Sequence, residues 1–364
     1  MDIDSNRLGR ANGEQAAQPS APKHSTSEGR FPMATSGGRS KVVVTGAAGF
    51  IGSHLVEALL DRGHRVIGLD RRTPDDNPTA RLNLQQALSH PQFSLVGGDL
   101  MDVRLDNIVA DASCVYHLAA VPGVRTSWTG FFAYVTANIL ATERLLDSCR
   151  ASKVPKVVYA SSSSVYGEAG GASREVDATQ PISPYGVTKL AGEQLCLAYA
   201  KRPGSTLSVT ALRYFTVYGP RQRPDMAIGR MLTAALTGEQ YTLFGDGTQR
   251  REFTFVDDVV SATMAAADVQ VPAAVVNVGG GSSVSMIDVI RAVRDVTGNP
   301  VPLTASGAQP GDVPATSADL ALAHILLGYR PQVDLHTGMS RHATWLRGLS
   351  PESLRMYIPQ PVTI

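Results

Sequence analysis

The feature that most constrains the fold of this chain is a β-branched run followed by a glycine-rich turn and a helical pattern. The run Lys41–Thr45 is typical of a strand buried on both faces. Gly46, Gly49 and Gly52 follow it, and apolar residues then recur with helical spacing over His54–Leu60. A strand, a tight turn and a helix in this order predict the start of a parallel α/β sheet.

The same alternation continues through the first half of the chain. Further apolar runs predict strands, with helical segments between most of them: Arg65–Leu69, Phe93–Val96, Cys114–Leu118, Val157–Ala160 and Thr206–Leu212. Because parallel neighbours need crossover connections, this pattern predicts an α/β fold with a Rossmann-type, doubly wound parallel sheet.

The alternation weakens after about Phe215, where we place a smaller α/β domain. Its predicted elements are a helix, a strand, a return strand and a helix capped by Ser285, at Gly229–Thr237, Tyr241–Phe244, Val275–Val278 and Met286–Val296. We therefore expect a Rossmann-type domain at 41–215 with a return strand near 275–278, a second domain mainly at 216–346, and a C-terminal tail at 347–364.

Residues 1–40 are rich in Ser, Gly, Ala, Pro and charge and lack apolar periodicity. Such a composition buries too little apolar surface to offset chain entropy. We expect a disordered N-terminal extension here, with a docking or targeting arm as the alternative.

Charge and cysteine usage argue against several classes of protein. The 33 Lys+Arg against 32 Asp+Glu give a net charge of +1, which does not favour nucleic acid or anionic membranes as partners. Cys114, Cys149 and Cys196 are far apart and form no CxxC pair, which disfavours a disulfide framework or a metal site. The sequence shows no apolar run of about 18 residues and no signal-peptide pattern. We expect a soluble cytoplasmic protein without a metal.

The three glycines of the turn predict a phosphate site. They allow the backbone to approach a pyrophosphate placed at the positive N-terminus of the helix. Asp70 ends the next predicted strand, where its carboxylate can accept both hydroxyls of an adenosine ribose. Together they predict a dinucleotide cofactor, with a tight turn and a surface Asp as the alternative.

We favour NAD over NADP, because Asp70 would repel a 2′-phosphate. Arg71 and Arg72 directly follow it and would attract one, so the choice is not closed by sequence. After the third strand, Asp99 and Leu100 are expected to bracket the adenine. After the fourth strand, small or apolar residues leave room for the dinucleotide: Leu118, Ala119 and Ala120.

A catalytic pair is predicted four residues apart on one helix face. Tyr185 and Lys189 follow Pro184, which is typical of a helix start. A lysine ammonium near a phenol lowers the phenol pKa, which makes Tyr185 a usable general base. Upstream, the hydroxyls of the run Ser161–Ser164 can share the reacting proton. The alternative is an amphipathic helix with a surface Tyr and Lys.

Five motifs together resemble those of the extended short-chain dehydrogenase/reductases, and among them the nucleotide-sugar epimerases and dehydratases. The motifs are TGAAGFIGSHL, SSSSVYGE, SPYGVTK, RYFTVYGPRQRPDM and GDGTQRREFTFVDD, and the likeness runs over about 41–346. The resemblance implies Ser162, Tyr185 and Lys189 as catalytic residues, with Tyr185 and Lys189 also contacting the cofactor. It further implies four residues that line the dinucleotide: Phe50, Ile51, Asn138 and Phe215.

Two positions indicate the reaction. Family dehydratases carry Asp-Glu before the Val-Tyr-Gly motif and decarboxylases carry Glu in the second place, whereas this chain has Ser163 and Ser164. Without a carboxyl group for a second proton transfer, the residues support oxidation at carbon 4 of a sugar and re-reduction on the other face. This predicts a 4-epimerase.

The substrate is indicated by the segment after the sixth strand. Thr216, Arg223 and Met226 lie in a pattern that resembles the UDP-glucuronate 4-epimerases. A hydroxyl and a guanidinium on one loop can grip a sugar carboxylate, and Arg125 can add charge nearby. The alternatives are that Arg223 forms a salt bridge between domains and that the substrate is UDP-glucose or UDP-N-acetylglucosamine.

The resemblance also implies contacts to UDP. Arg251 matches a phosphate-binding arginine, which Arg230 is expected to assist, and Asp312 matches a contact to the nucleoside. Tyr241 and Phe244 belong to a segment expected to pack on uracil. The alternative for Arg251 is a surface charge beside Arg250.

Less favoured readings are a decarboxylase that forms a UDP-pentose and a catalytically silent NAD-binding protein. Family members often dimerise through two helices, which implies a homodimer here. The expected helices are the segments around Phe131–Cys149 and Tyr185–Ala200.

Overall fold

The computed structural model describes residues 40–307 and 313–358. The predicted extension therefore lies outside the described residues except for residue 40, and Asp312 lies outside them as well. Within the described residues, no helix is both long enough and apolar enough to span a bilayer.

The strands follow the predicted alternation closely. They are β1 (Lys41–Thr45), β2 (Arg65–Asp70), β3 (Phe93–Gly97), β4 (Cys114–His117), β5 (Lys156–Ser162), β6 (Ser208–Tyr214), β7 (Val217–Tyr218), β8 (Tyr241–Phe244), β9 (Arg250–Glu252), β10 (Thr254–Phe255), β11 (Ala273–Val278), β12 (Ser283–Ser285) and β13 (Leu303–Ser306).

The helices lie between and after these strands. They are α1 (Phe50–Asp61), α2 (Pro78–Leu84), α3 (Leu105–Val109), α4 (Phe131–Val135), α5 (Ala141–Ala151), α6 (Pro184–Lys201), α7 (Ala227–Thr237), α8 (Val256–Ala265), α9 (Met286–Thr297), α10 (Ala321–Leu327), α11 (Leu335–Arg347) and α12 (Pro351–Arg355). A π-helical turn, Thr136–Leu140, joins α4 to α5.

The main sheet has seven strands in the order β11-β6-β5-β4-β1-β2-β3, and every pair in it is parallel. The strand order reverses at β1, because β2 and β3 lie on one side of β1 and β4, β5 and β6 lie on the other. In open parallel sheets a ligand crevice forms at this switch point, beyond the carboxyl ends of the strands. The predicted Rossmann-type α/β fold is confirmed.

The β-branched run of β1 is explained by two cores, one on each face of the sheet. Val42 and Val44 pack with Leu55 and other residues of one core, and Val43 packs with Leu145 and other residues of the second. Because successive side chains of a strand point to opposite faces, a strand covered on both sides must be apolar throughout.

The chain after β6 forms small two-stranded pairs: β7 with β10, β8 with β13 and β9 with β12. Between them β11 returns to the main sheet beside β6, at the predicted place. The segment predicted as a C-terminal tail contains α12, and Tyr357 beyond it is buried with its ring 5.1 Å from that of Trp345. This part of the tail is therefore packed, since the tyrosine and tryptophan rings bury each other.

Candidate active site

The glycine turn after β1 is built for close backbone approach. A Cβ at Gly46, where φ is +72°, would lie 2.8 Å from the Ala119 nitrogen, and a Cβ at Gly52 would lie 2.1 Å from the Gly46 oxygen. Gly49 precedes α1 and has no side chain to cap it, so the first N–H groups of the helix stay available to an anion. The turn thus fits a pyrophosphate, and Phe50 and Ile51 lie half-buried beside it.

Asp70 ends β2 beside this turn, and its carboxylate is buried. It accepts hydrogen bonds from the Ala48 and Arg72 N–H groups, both at 3.0 Å, and forms a salt bridge to the Arg72 guanidinium at 3.3 Å. The Arg72 Nη2 lies 3.5 Å from the position of a Cβ on Gly49, whereas Arg71 is exposed. Of the two arginines named from the sequence, Arg72 is therefore the one beside the turn, and Asp70 already balances its charge, which argues against a 2′-phosphate.

A hydrogen-bonded chain fixes the loop after β4, where the predicted residues Leu118, Ala119 and Ala120 are half-buried. The Thr142 hydroxyl donates to the Asn138 carbonyl at 2.8 Å, so it accepts from His117 Nε2 at 2.9 Å. His117 Nδ1 then accepts from Thr45 Oγ1 at 2.7 Å, and that hydroxyl accepts from the Ala119 N–H at 3.2 Å.

His117 is therefore neutral, with its proton on Nε2. Burial, helped by the charge of Lys189, lowers the pKa of His117 to about 3, which agrees with this hydrogen-bond pattern. Sequence reasoning noted His117 only as a strand end. Its positioning role follows from partners on other elements of the fold.

Asn138 supports the loop from behind. It is buried in the π-helical turn, and its amide exchanges hydrogen bonds with the Val121 N–H at 2.8 Å and the Val121 carbonyl at 3.0 Å. Its amide also donates to Thr188 Oγ1 on α6 at 3.0 Å. These protein partners occupy its amide, and contact between Asn138 and the dinucleotide stays a prediction.

Phe215 and Leu100 are also buried, unlike residues that line a cleft. Phe215 packs in a small cluster with Val165 and Tyr166, and Leu100 belongs to the core on one face of the sheet. Contact of either residue with a dinucleotide stays a prediction. Asp99, beside Leu100, is half-buried and accepts a hydrogen bond from the Met101 N–H at 2.9 Å.

The predicted catalytic hydroxyls meet where β5 ends and α6 begins. The Tyr134 ring packs edge-on against the Tyr185 ring at 6.3 Å. Burial raises the pKa of Tyr185, while the Ser162 hydroxyl and the charge of Arg223 act to lower it. Tyr134 was missed in the sequence, because its place beside Tyr185 depends on how α4 packs on α6.

Lys189 lies on the same helix, with its ammonium over a neighbouring aromatic ring. Its Nζ lies 4.5 Å from the centroid of the Tyr159 ring, and burial lowers its pKa to about 8. Ser162 and Arg223 are groups that favour ionisation of Tyr185. The expected lowering of the Tyr185 pKa by Lys189 stays a prediction.

A buried ion pair lies one helical turn beyond Lys189. Glu193 on α6 receives two hydrogen bonds from Arg213 on β6, at 2.7 and 3.0 Å, and one from the Ser161 hydroxyl at 2.6 Å. The network ties α6 to β5 directly before Ser162. Glu193 was not identified from the sequence, because its partner Arg213 lies on another element.

Ser163 and Ser164 occupy a short 3₁₀ turn that follows β5. The Ser164 N–H donates to the Ser162 hydroxyl at 3.1 Å, which holds that hydroxyl at the strand end. Both serines are half-buried. The turn therefore offers hydroxyl groups, and no carboxyl group, beside Ser162.

The predicted carboxylate-binding residues follow β6. Thr216 is half-buried directly after Phe215, and Met226 precedes the first turn of α7. The Arg223 guanidinium acts on Tyr185 electrostatically and forms a bidentate pair with Asp225, at 2.9 and 2.7 Å. The structure thus gives Arg223 a partner within its own segment instead of one in the other domain.

Two predicted substrate arginines lie over the two rings predicted to pack on uracil. The Arg125 guanidinium carbon is 4.3 Å from the centroid of the Phe244 ring, and that of Arg230 is 5.3 Å from the centroid of the Tyr241 ring. Arg125 follows β4 and Phe244 ends β8, so this contact joins the two predicted domains.

The predicted diphosphate site contains a buried polar atom that a phosphate could bind. Arg230 Nε is buried and has no hydrogen-bond partner among the described residues, a state that a phosphate oxygen would relieve. Arg251 is half-buried on β9, where its Nη1 donates to the Arg250 carbonyl at 2.9 Å.

Comparison with known proteins agrees with this site. Residues 42–279 match the family model described as the NAD dependent epimerase/dehydratase family. The chain is 41% identical over 313 residues to a Bacillus subtilis (strain 168) protein named uncharacterized UDP-glucose epimerase YtcB, which covers 85% of this chain and 98% of that protein.

Two solved structures show the same fold. MoeE5 in complex with UDP-glucuronic acid and NAD is 46% identical, with a TM-score of 0.79 and coverage of 85% of this chain and 99% of that one. UDP-glucuronic acid 4-epimerase from Bacillus cereus, in complex with UDP-glucuronic acid and NAD, is 42% identical, with a TM-score of 0.80 and coverage of 84% and 99%. With its glycine turn, Ser162, Tyr185 and Lys189 inside the matched region, this chain belongs to the NAD-dependent epimerase/dehydratase family.

Proposed function

We propose that this protein is an NAD-dependent isomerase that epimerises UDP-glucuronate at carbon 4 to give UDP-galacturonate. The observation that carries this proposal is the partly exposed Arg223 guanidinium, held near the Tyr185 phenol in a site with serines at 163 and 164. Relatives support it, since the Bacillus cereus neighbour is a UDP-glucuronic acid 4-epimerase.

Tyr185 is the residue that moves the proton. Its phenol oxygen removes the proton of the 4-hydroxyl and later returns it, while the Ser162 hydroxyl helps to lower the pKa of Tyr185. Lys189 is placed one turn along the same helix to hold the nicotinamide ribose. NAD, held by the glycine turn and Asp70, supplies the oxidation and the re-reduction at carbon 4.

The carboxylate of the substrate sets a further requirement. Oxidation at carbon 4 of a uronic acid gives a β-keto acid, which loses carbon dioxide readily. Thr216 and Arg223 are the groups that hold the carboxylate charge in place and so suppress this loss. The absence of carboxyl groups at Ser163 and Ser164 leaves the site without the acid and base of the dehydratases.

The second candidate is a 4-epimerase of a neutral sugar nucleotide. YtcB is named a UDP-glucose epimerase, and MoeE5 has also been solved with UDP-glucose and NAD. The same Ser162, Tyr185 and Lys189 would serve that reaction. The two candidates therefore differ only in whether Thr216 and Arg223 bind a sugar carboxylate.

We further propose that the protein is a cytoplasmic homodimer. A row of exposed apolar side chains on and beside α4, the π-helical turn and α6 supports the dimer: Trp128, Phe131, Phe132, Leu140 and Val187. These are the helices expected to pair. A second copy of the chain would cover this face.

The test is to incubate the purified protein, without added reductant, with UDP-glucuronate, UDP-glucose or UDP-N-acetylglucosamine and to identify the products by proton NMR. We expect UDP-galacturonate without a pentose. A UDP-pentose would identify a decarboxylase, and turnover of neutral sugars alone would favour the second candidate. A requirement for added NADPH in proportion to product would contradict any epimerase.

Arg223→Ala tests the carboxylate role directly. We expect slower turnover of UDP-glucuronate and a pentose side product, because the carboxylate is no longer held. Wild-type turnover of UDP-glucuronate without extra pentose would show that Arg223 does not bind the carboxylate.

A further inference from the structure

Arg223 is held by a carboxylate of its own segment. Its Nε lies 2.9 Å from Asp225 Oδ1 and its Nη2 lies 2.7 Å from Asp225 Oδ2, which is bidentate geometry. The side chains are 33% and 62% exposed, respectively. The pair therefore lies at the wall of the site with one side open.

The segment that carries this pair is fixed from within. Pro224 separates the two residues, and its ring restricts the backbone between them. Gln222, just before Arg223, is buried and donates from Nε2 to the Val217 carbonyl at 2.9 Å, while its Oε1 accepts from the Gly229 N–H at 2.9 Å. Contacts within the protein therefore hold the segment that carries the pair.

Asp225 stays ionised in this setting. Partial burial acts to raise the pKa of Asp225, but hydrogen bonds and charge from Arg223 outweigh it and lower that pKa. The guanidinium is therefore permanently matched by a carboxylate at neutral pH.

The pair leaves half of the guanidinium free to bind. Arginine has five N–H donors, and Asp225 takes the Nε–H and one on Nη2. One N–H on Nη2 and two on Nη1 remain, and the Nη2 N–H with the adjacent Nη1 N–H forms the end-on fork that binds a second carboxylate. Without Asp225 the long side chain would have to be ordered each time a substrate binds, which weakens binding.

We infer that Asp225 is a positioning residue that sets the preference of the site for a uronate over a neutral sugar. It binds the Nε and Nη2 edge of the Arg223 guanidinium, so that the end-on fork faces the sugar carboxylate near Tyr185. This inference rests on the proposed function, because it assigns a carboxylate to the fork.

The test measures selectivity in the holoenzyme. Calorimetry on the Tyr185→Phe background gives the dissociation constants of UDP-glucuronate and UDP-glucose without turnover. Both ligands contain UDP, so a change in the binding of UDP itself cancels in the ratio of the two dissociation constants. We expect Asp225→Ala to reduce the preference for UDP-glucuronate about fivefold to tenfold, Asp225→Asn to reduce it less, and Asp225→Glu to restore part of it.

A double-mutant cycle shows whether Asp225 acts through Arg223. In an Arg223→Ala background, Asp225→Ala should change the ratio no further. In the active enzyme, Asp225→Ala should also raise the fraction of pentose product. Asp295→Ala is the matched control, because it removes an exposed carboxylate of α9 paired to Arg294 at 3.7 Å and should leave the ratio unchanged.

The outcomes separate this inference from the proposed function. If the wild-type enzyme does not convert UDP-glucuronate, the proposed function fails and this inference fails with it. If the wild type converts UDP-glucuronate and Asp225→Ala keeps the wild-type ratio of dissociation constants, only the inference is overturned. An increased preference of Asp225→Ala for UDP-glucuronate would also overturn it, and would show that Asp225 competes with the substrate. If the alanine variant does not fold, the same ratio measured for Asp225→Asn tests the inference.

Discussion

The Nζ atom of Lys189 lies 4.5 Å from the centroid of the Tyr159 ring, inside the protein. An aromatic face attracts a cation, but it replaces only part of the hydration that an ammonium loses on burial. Burial accordingly lowers the pKa of Lys189 from 10.5 to about 8. This lysine, which we propose to be catalytic, is thus held at a cost to stability.

Lys189→Met should make the NAD-free protein more stable at pH 7 and inactive. The unfolded chain binds more protons between pH 8 and 10.5, so the charge penalty is complete below about pH 8 and disappears as the pH rises toward 10.5. We expect a gain of about 1–3 kcal/mol at pH 7 that shrinks over this window. Urea unfolding at several pH values measures it, with the exposed Lys201→Met as control. A gain independent of pH would contradict the explanation.

Tyr185→Phe should abolish epimerisation and leave folding intact. Loss of the base removes the group that accepts the 4-hydroxyl proton, so we expect kcat to fall by about 10²–10⁴-fold. Tyr199→Phe is the matched control, because its phenol lies on the same helix and bonds to Glu143 instead. Comparable losses in both variants would show that the helix, and not the phenol, is being tested. The assay is conversion of UDP-glucuronate followed by NMR.

Gly52→Ala should destabilise the protein and release NAD. The new Cβ would lie 2.1 Å from the Gly46 carbonyl oxygen, and a backbone atom cannot move aside cheaply. We expect a loss of about 2–3 kcal/mol in unfolding free energy. NAD retained through purification is measured after denaturation. Gly170→Ala, where a Cβ meets nothing within 4 Å, should change neither quantity, and an unaffected Gly52→Ala would disprove the packing argument.

Arg213→Met should be strongly destabilising, because it leaves the buried Glu193 carboxylate without its cation. The expected loss is about 3–5 kcal/mol in urea unfolding. The double variant Glu193→Leu with Arg213→Met should recover much of it, since no charge is then left buried. Arg150→Met breaks an exposed pair with Asp147 and should have no measurable effect. Equal stability of the single and double variants would contradict this account.

Phe132→Glu should convert the proposed dimer to a monomer. Phe132 is 83% exposed on α4, among the apolar side chains of the proposed dimer face. A carboxylate there would have to be buried without a partner when two copies meet. Light scattering after gel filtration measures the mass. Ile325→Glu, at an exposed position on α10, should leave the dimer intact. A monomeric wild type, or a dimeric Phe132→Glu variant, would contradict the proposed interface.

The parts of the site that were predictable are those that local spacing decides. Helical geometry places Tyr185 and Lys189 on one face of α6, and the β-branched run with its glycines specifies β1, the turn and α1. These features depend on residues close in the sequence. The arrangement of strands and helices followed from the same local patterns.

Other roles required the packed molecule. Asn138 was expected against the dinucleotide, and in the structure it bridges Val121 and Thr188, and the second of these lies 50 residues away in the chain. Lys189 turned toward Tyr159 because β5 packs beneath α6, which no spacing along one helix can show.

The sequence by itself determined the α/β fold and the glycine turn, because short-range periodicity encodes them, and its motifs predicted the reacting side chains. Only the tertiary structure decided which side chains those groups meet. It paired Glu193 with Arg213, set Arg72 over the turn and placed Arg125 against Phe244. The physical reason is that contacts between elements depend on strand order and packing, which bring together residues that are distant along the chain.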